Sequence, residues 1–241
     1  MPNTYKGFLA MWRPGSSTLP YWVSGFDQTK FENTIQEYFN IGIRLKCLDY
    51  YDIGDSFSGV FVKDNGAEHY QGWLSGDDFE TADTEQFNKG RRLVALDKDG
   101  DQYYPVWRSG SGAQHWESGL SGFELDTIDP QQRAKGRRLV LLFATDGTYT
   151  AVWQTGSGKA YYAYGKSRAE YDALNAGYVD NGYRLVSLAT ENGAWTAVWR
   201  PGTGAQIVHN GLTATQLEDK NQELGAQGLR LAILRAKRYT V

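Results

Sequence analysis

The sequence predicts an α+β fold of five tandem repeats of about 46 residues, each a three-stranded antiparallel meander with one helix. The repeats are expected to close into a five-bladed, propeller-like ring, with an open solenoid as the alternative. Three observations carry this. Gly-x-Arg-Leu begins at Gly42, Gly90, Gly136, Gly182 and Gly228, at spacings of 48, 46, 46 and 46. An aromatic residue closing an apolar run falls at Trp12, Phe61, Trp107, Trp153 and Trp199, in the same register. The chain also begins at the second strand of one repeat, around Phe8 to Trp12, and ends on the first strand of another, Arg230 to Leu234. Pairing those two strands would complete the fifth sheet and leave no open edge.

The repeats run approximately over 1–49, 50–97, 98–143, 144–189 and 190–241 of 241 residues and are read as one domain, because a unit of this size buries too little surface to fold alone. In the third repeat Arg138 to Leu142 is β-rich, Thr145-Asp146-Gly147 is a hairpin turn, and Tyr149 to Trp153 alternates as a strand. Its face of aromatic, small, aromatic returns as Phe8-Ala10-Trp12, Phe57-Gly59-Phe61, Tyr103-Pro105-Trp107 and Trp195-Ala197-Trp199. Glycine-rich turns follow at Pro14-Gly15-Ser16, Asp64-Asn65-Gly66, Gly110-Ser111-Gly112, Gly156-Ser157-Gly158 and Pro201 to Gly204. A third strand then carries Tyr21-Trp22, His69-Tyr70, His115-Trp116, Tyr161-Tyr162 and Ile207-Val208. Read as a second hairpin, this turn makes a meander.

Asp27, Ser75, Ser121, Ser167 and Thr213 are preferred N-caps, and Glu124, Glu170 and Gln216 complete capping boxes. Each helix is expected to stop at the glycine of Gly-x-Arg-Leu, a natural C′ residue. Pro130 predicts a kink or a separate last turn in the third copy, with Asp129 as its cap.

Composition narrows the classes. The chain is 41% hydrophobic and 14% aromatic with 28 glycines, which suits a turn-rich globular protein. A net charge of −3 without a basic stripe argues against nucleic acid. A lone cysteine, Cys47, in an apolar strand is expected to be an inert buried thiol. The start MPNTYKGFLAMW lacks a signal-peptide pattern, and no run approaches about 20 apolar residues, so neither classical export nor a membrane span is expected. A ring that closes on itself would be a monomer.

The strings Tyr183-Arg184-Leu185, Trp195-Thr196-Ala197-Val198-Trp199 and His209-Asn210-Gly211-Leu212-Thr213 with Gln216 resemble the bacterial tandem repeat that accompanies serine-hydrolase domains. That repeat is similar to the N-terminal domain of fungal polyglycine hydrolases. The resemblance extends over five copies and is weakest in the second, where Phe61 stands for tryptophan and Trp73 for glycine. It implies an ancillary recognition module. The Ser-x-x-Lys of the family's separate catalytic domain does not occur here.

Motifs of catalysis are also missing. Thr155-Gly156-Ser157-Gly158-Lys159-Ala160 lacks the first glycine and the hydroxyl of a phosphate loop and joins strands. Asp97-Lys98-Asp99-Gly100-Asp101 has Gln102 and Arg108 where a calcium loop needs glycine and glutamate. His69, His115 and His209 lie in different repeats without metal spacing, so no metal or cofactor is expected. Arg44, Arg92, Arg138, Arg184 and Arg230 are either structural or a ring of ligand-facing guanidinium groups. Trp12, Trp107, Trp153 and Trp199 read as core.

The aromatic surplus around the third strands suits sugar binding, because indole and phenol rings stack on pyranose C–H faces while polar neighbours bond the hydroxyls. The candidate ligand-binding residues are Trp22, Tyr70, Trp73, Trp116, Tyr162, Tyr164, Arg108, Arg200 and His209. The expected function is non-catalytic, multivalent recognition of glycans. A scaffold for a surface protein or peptide is the alternative, and a hydrolase the next.

Overall fold

The structure, a computed structural model, describes residues 4–15, 21–51 and 55–240, with residues 4–6 and 237–240 described as backbone only. Ser16 of the first glycine turn lies outside the described residues. The chain opens with β1 (Thr4–Pro14), β2 (Tyr21–Phe26), α1 (Gln28–Asn40), β3 (Ile43–Tyr51) and β4 (Ser56–Lys63). It continues through β5 (Glu68–Tyr70), α2 (Gly76–Asn88), β6 (Arg91–Asp99), β7 (Gln102–Ser109), β8 (Gln114–Leu120) and α3 (Gly122–Ala134). Next come β9 (Arg137–Thr145), β10 (Thr148–Thr155), β11 (Tyr161–Lys166), α4 (Arg168–Asp180), β12 (Tyr183–Glu191) and β13 (Ala194–Pro201). The last elements are β14 (Ile207–Leu212), α5 (Ala214–Ala226) and β15 (Leu229–Thr240).

These strands form five three-stranded antiparallel sheets, each served by one helix. Their orders are β14-β1-β15, β2-β4-β3, β5-β7-β6, β8-β10-β9 and β11-β13-β12. The last strand does pair with the first, from Thr4↔Thr240 to Pro14↔Leu229. The meander, however, is corrected. The third strand never folds back on the aromatic strand before it; β8 leaves β7 and pairs with β10 of the following hairpin, Trp116 opposite Val152. The glycine-rich segment is therefore a link between sheets. Gly112 and Gly158 hold φ of 85° and 77° in such links, a left-handed conformation that carries the chain sideways. In the resulting β-α-β-β unit the two edge strands run parallel, and parallel strands need a crossover, which the helix provides.

Local chemistry follows the sequence closely. Asp27, Ser75, Ser121, Ser167 and Thr213 each accept the backbone N–H of N3, with full capping boxes at the last three. Gly42, Gly90, Gly136, Gly182 and Gly228 take φ between 73° and 81° just past the helix ends. The turns at Asp146-Gly147 and Asn192-Gly193 have positive φ at both residues, the I′ geometry that matches strand twist. Every hairpin carries a register shift just after the leucine of Gly-x-Arg-Leu, as between Leu45 and Cys47 or Leu185 and Ser187. The helix holding Pro130 runs unbroken over Gly122–Ala134, so no separate last turn forms. Asp129 there is buried, accepts the Trp153 indole N–H and forms an ion pair with Arg133, and caps no new turn.

Two compact units result: Met1–Gly110 with Ala205–Val241, and Ser111–Gly204. The first holds the sheets of β15, β3 and β6, the second those of β9 and β12. Trp12, Trp107, Trp153 and Trp199 are fully buried, each between its sheet and its helix. Their indole N–H groups donate to Asn221, Asp83, Asp129 and Asn175, at 3.2, 2.7, 3.0 and 3.0 Å. Where the aromatic is Phe61, which has no donor, the helix position holds Ile35. That exchange leaves no buried polar group unmatched. In the first unit Arg235 is buried against Asp49 and Asp97 at 3.4 and 3.2 Å, tying β15 to β3 and β6. Burial opposes its charge, but Asp97 and Asp49 outweigh that and hold its pKa above the ordinary arginine value. Cys47 is buried, its thiol pushed up by burial, and donates to the Leu234 carbonyl.

Candidate recognition grooves

The repeated arginines are structural. Arg44 donates from Nε to Gly66 O at 2.6 Å and from Nη1 to Phe39 O at 2.8 Å. Arg138 bonds Gly158 and Arg133 in the same way, and Arg184 bonds Gly204 and Val179. Each guanidinium thus joins the open carbonyls of a helix end to the link leaving the same sheet, while Arg92 and Arg230 bond the helix carbonyls of Phe87 and Gly225. No ring of ligand-facing guanidinium groups is left for these residues to form.

Within each compact unit the third strand, displaced onto the next sheet, faces the helix of the preceding repeat, at α5–β2 and α1–β5 in the first and at α3–β11 in the second, and this juxtaposition makes a groove. In the second unit Tyr162 and Tyr164 on β11 both donate to Asp126 of α3, at 2.8 and 2.7 Å. Burial, then the bond to Asp126, raises the Tyr162 pKa; the same bond pushes Tyr164 up to about 12. In the first unit Trp22 on β2 donates from Nε1 to Glu218 of α5 at 3.0 Å. The third described groove sets Tyr70 on β5 against α1, where it meets Phe31 edge-on at 5.9 Å. Burial, then the charge of Glu32, raises its hydroxyl pKa. The acid lies five residues past the N-cap in all three grooves, and Glu80 and Asp172 hold the same position in the other two helices. None of these five acids is among the residues predicted for the site.

The remaining predicted residues do not converge on one place. Trp116 is half-buried on β8, and Arg200 on β13 donates to the Ser157 carbonyl at 3.5 Å. Burial and neighbouring Arg138 lower the Arg200 pKa. His209 lies edge-on to Trp12 at 5.9 Å. Trp73, 37% exposed, has φ of 59° where the equivalent Gly25, Gly119, Gly165 and Gly211 have φ between 61° and 77°. It packs edge-on against Tyr50 and Tyr104, each at 5.3 Å, which retain a bulky residue in a conformation that costs roughly 1–2 kcal/mol.

Arg108 on β7 pairs with Asp64 and stands 3.7 Å from Glu68, its partner across the strands. Glu68 was not foreseen. Its side chain is 2% exposed, and burial pushes its carboxyl up to about 7 against the opposing charge of Arg108. A cavity of about 440 Å³ opens beside it, lined by Glu32, Ile35, Gln36 and Phe39 of α1 and by residues 68–72. Perturbed acids beside cavities mark functional candidates.

Residues 157–200 match the polyglycine hydrolase-like structural repeat. The matched segment coincides with one spatial unit, β11 through β13 (Tyr161–Pro201), bounded by glycine links as the sheet order requires. The match thus falls on one β-α-β-β unit of this chain. No curated protein and no solved structure matches the chain. Among the described residues no helix is long and apolar enough to cross a membrane.

Proposed function

We propose that the protein is a non-catalytic recognition module that binds carbohydrate in the grooves between a helix and the third strand of the following unit. The observation that carries this is the repeated pairing of an aromatic ring with a helix carboxylate: Trp22 with Glu218, and Tyr162 and Tyr164 with Asp126. A ring that offers a flat apolar face beside an oriented acceptor matches a pyranose, which has a C–H face and directed hydroxyls. Several weak grooves on one molecule gain strength on a multivalent surface. A glycan array read together with intrinsic tryptophan emission tests this; binding that quenches or shifts the emission is expected. Absence of any glycan, with capture of a protein instead, refutes it.

The match to a polyglycine hydrolase-like repeat favours one second reading, a scaffold for glycine-rich peptide. Titration with oligoglycine separates the two, because the carbohydrate reading expects no saturable response.

A further inference from the structure

The three described grooves share one layout but not one state of hydrogen bonding. Asp126 accepts two tyrosine hydroxyls, and Glu218 accepts the Trp22 indole and the Gln222 amide. In the α1–β5 groove the acid, Glu32, accepts from Gln28 on its own helix. Tyr70 occupies the register of Trp22 and Tyr162, yet its hydroxyl is buried and has no hydrogen-bond partner among the described residues. Both carboxylate oxygens of Glu68 are buried without a well-formed hydrogen bond, the Leu45 backbone N–H and Arg108 being their nearest polar neighbours. Strand alternation puts Glu68 on the face of Tyr70, toward α1, and turns His69 the other way, onto Trp107 at 5.7 Å. Buried polar atoms are almost always bonded, so three in one place beside a cavity require an explanation.

The charge around the cavity narrows the ligand. Arg108, paired with Asp64 and 3.7 Å from Glu68, and Arg44 nearby set two cations against these two carboxylates, so a further cation gains little there. Glu32 at the rim disfavours an anion. A hydroxyl serves Glu68 in either protonation state, donating to the carboxylate or accepting from the acid, and can exchange bonds with Tyr70. Ile35 and Phe39 supply apolar wall, Gln36 and Gln71 supply amides, and about 440 Å³ lies within the range of small-ligand sites.

We propose that the α1–β5 cavity is a dedicated subsite for one uncharged pyranose residue, held by hydrogen bonds to Glu68 and Tyr70. It rests on the carbohydrate reading above and narrows it, since this groove is built to be completed by a ligand where the other two complete themselves.

The test titrates the full chain with methyl glycosides of glucose, galactose, mannose and N-acetylglucosamine, followed by calorimetry and saturation-transfer NMR. At least one glycoside is expected to saturate the wild type. Tyr70→Phe and Glu68→Gln should each weaken it about tenfold. Gln36→Trp, at an exposed helix position, should fill the cavity and abolish binding with an unchanged thermal midpoint. If Tyr162→Phe weakens binding while Glu68→Gln and Gln36→Trp leave it at wild-type strength, the subsite assignment is overturned and the carbohydrate reading stands. If no glycoside binds but triglycine does, and Gln36→Trp abolishes that, the cavity is a peptide site and the sugar assignment falls.

Discussion

Replacing Arg235 with methionine removes the one cation between two buried carboxylates. Arg235 is 6% exposed, Asp49 4% and Asp97 8%. Asp49 accepts the Ala236 N–H at 2.6 Å, and Asp97 accepts the Tyr50 N–H at 2.8 Å, so both acids stay anchored when the guanidinium is gone. Arg235 Nη1 also donates to the Leu48 carbonyl at 3.0 Å, a bond lost with it. Removing one member of a buried ionic group typically costs about 3–5 kcal/mol, since the remaining charge keeps its desolvation penalty without its counterion. Two facing carboxylates favour protonation, so the loss should shrink as pH falls toward 4. Urea unfolding of wild type and Arg235→Met, followed by tryptophan emission at pH 8 and pH 4, measures both effects. Adding Asp49→Asn and Asp97→Asn keeps an acceptor for each N–H and should restore most of the loss. A loss below about 1 kcal/mol at pH 8, or one that does not change with pH, refutes the claim that this triad holds β15 to β3 and β6.

Three further outcomes follow from the geometry. Trp199→Phe should cost about 2–3 kcal/mol in urea unfolding, from lost packing and the lost indole bond to Asn175; adding Asn175→Ile, which copies the Phe61 and Ile35 pair, should recover part of it. Arg184→Lys should cost about 1–2 kcal/mol, because an ammonium cannot bond Gly204 and Val179 in one planar fork; an unchanged midpoint would contradict the structural role of the arginines. Glu68, whose surroundings include Arg108, Arg44 and Asp64, has its carboxyl raised from 4.5 to about 7. The folded chain therefore binds more protons than the unfolded one between those values, and stability should fall as pH rises through that window, by up to about 3 kcal/mol. Glu68→Gln should remove that slope, which denaturation across pH 4 to 8 will show.

Much of the fold was legible because the repeat states each local rule five times. The N-caps, the C′ glycines, the Asp146-Gly147 hairpin and the buried tryptophans all follow from short-range chemistry, and each is observed. Strand order was not legible. The third strand could pair with the hairpin before it or the one after it, and the side chains of Trp116 suit either edge. The decision lies in the glycine link and in the crossover demanded by parallel edge strands, neither of which alters the hydrophobic pattern. Within the site, Trp22, Tyr70, Tyr162 and Tyr164 were legible as aromatics outside the core pattern, but their acids were not, since one charge on an exposed helix face resembles any other. Glu68 departs from its own repeat: the equivalent positions hold Pro20, Gln114, Ala160 and Gln206. A charged residue facing inward at one copy alone was the signal.

The proposed recognition takes place in the grooves between a helix and the displaced third strand. Mapping backbone amide shifts on the labelled protein during titration with methyl glycosides tests it most directly. Shifts are expected to concentrate at Phe39, Gln71 and Gly72 around the α1–β5 cavity, with weaker ones near Asp126 and Tyr164. Saturable shifts confined to the hairpin turns at Asp146-Gly147 and Asn192-Gly193, with the grooves silent, would contradict it.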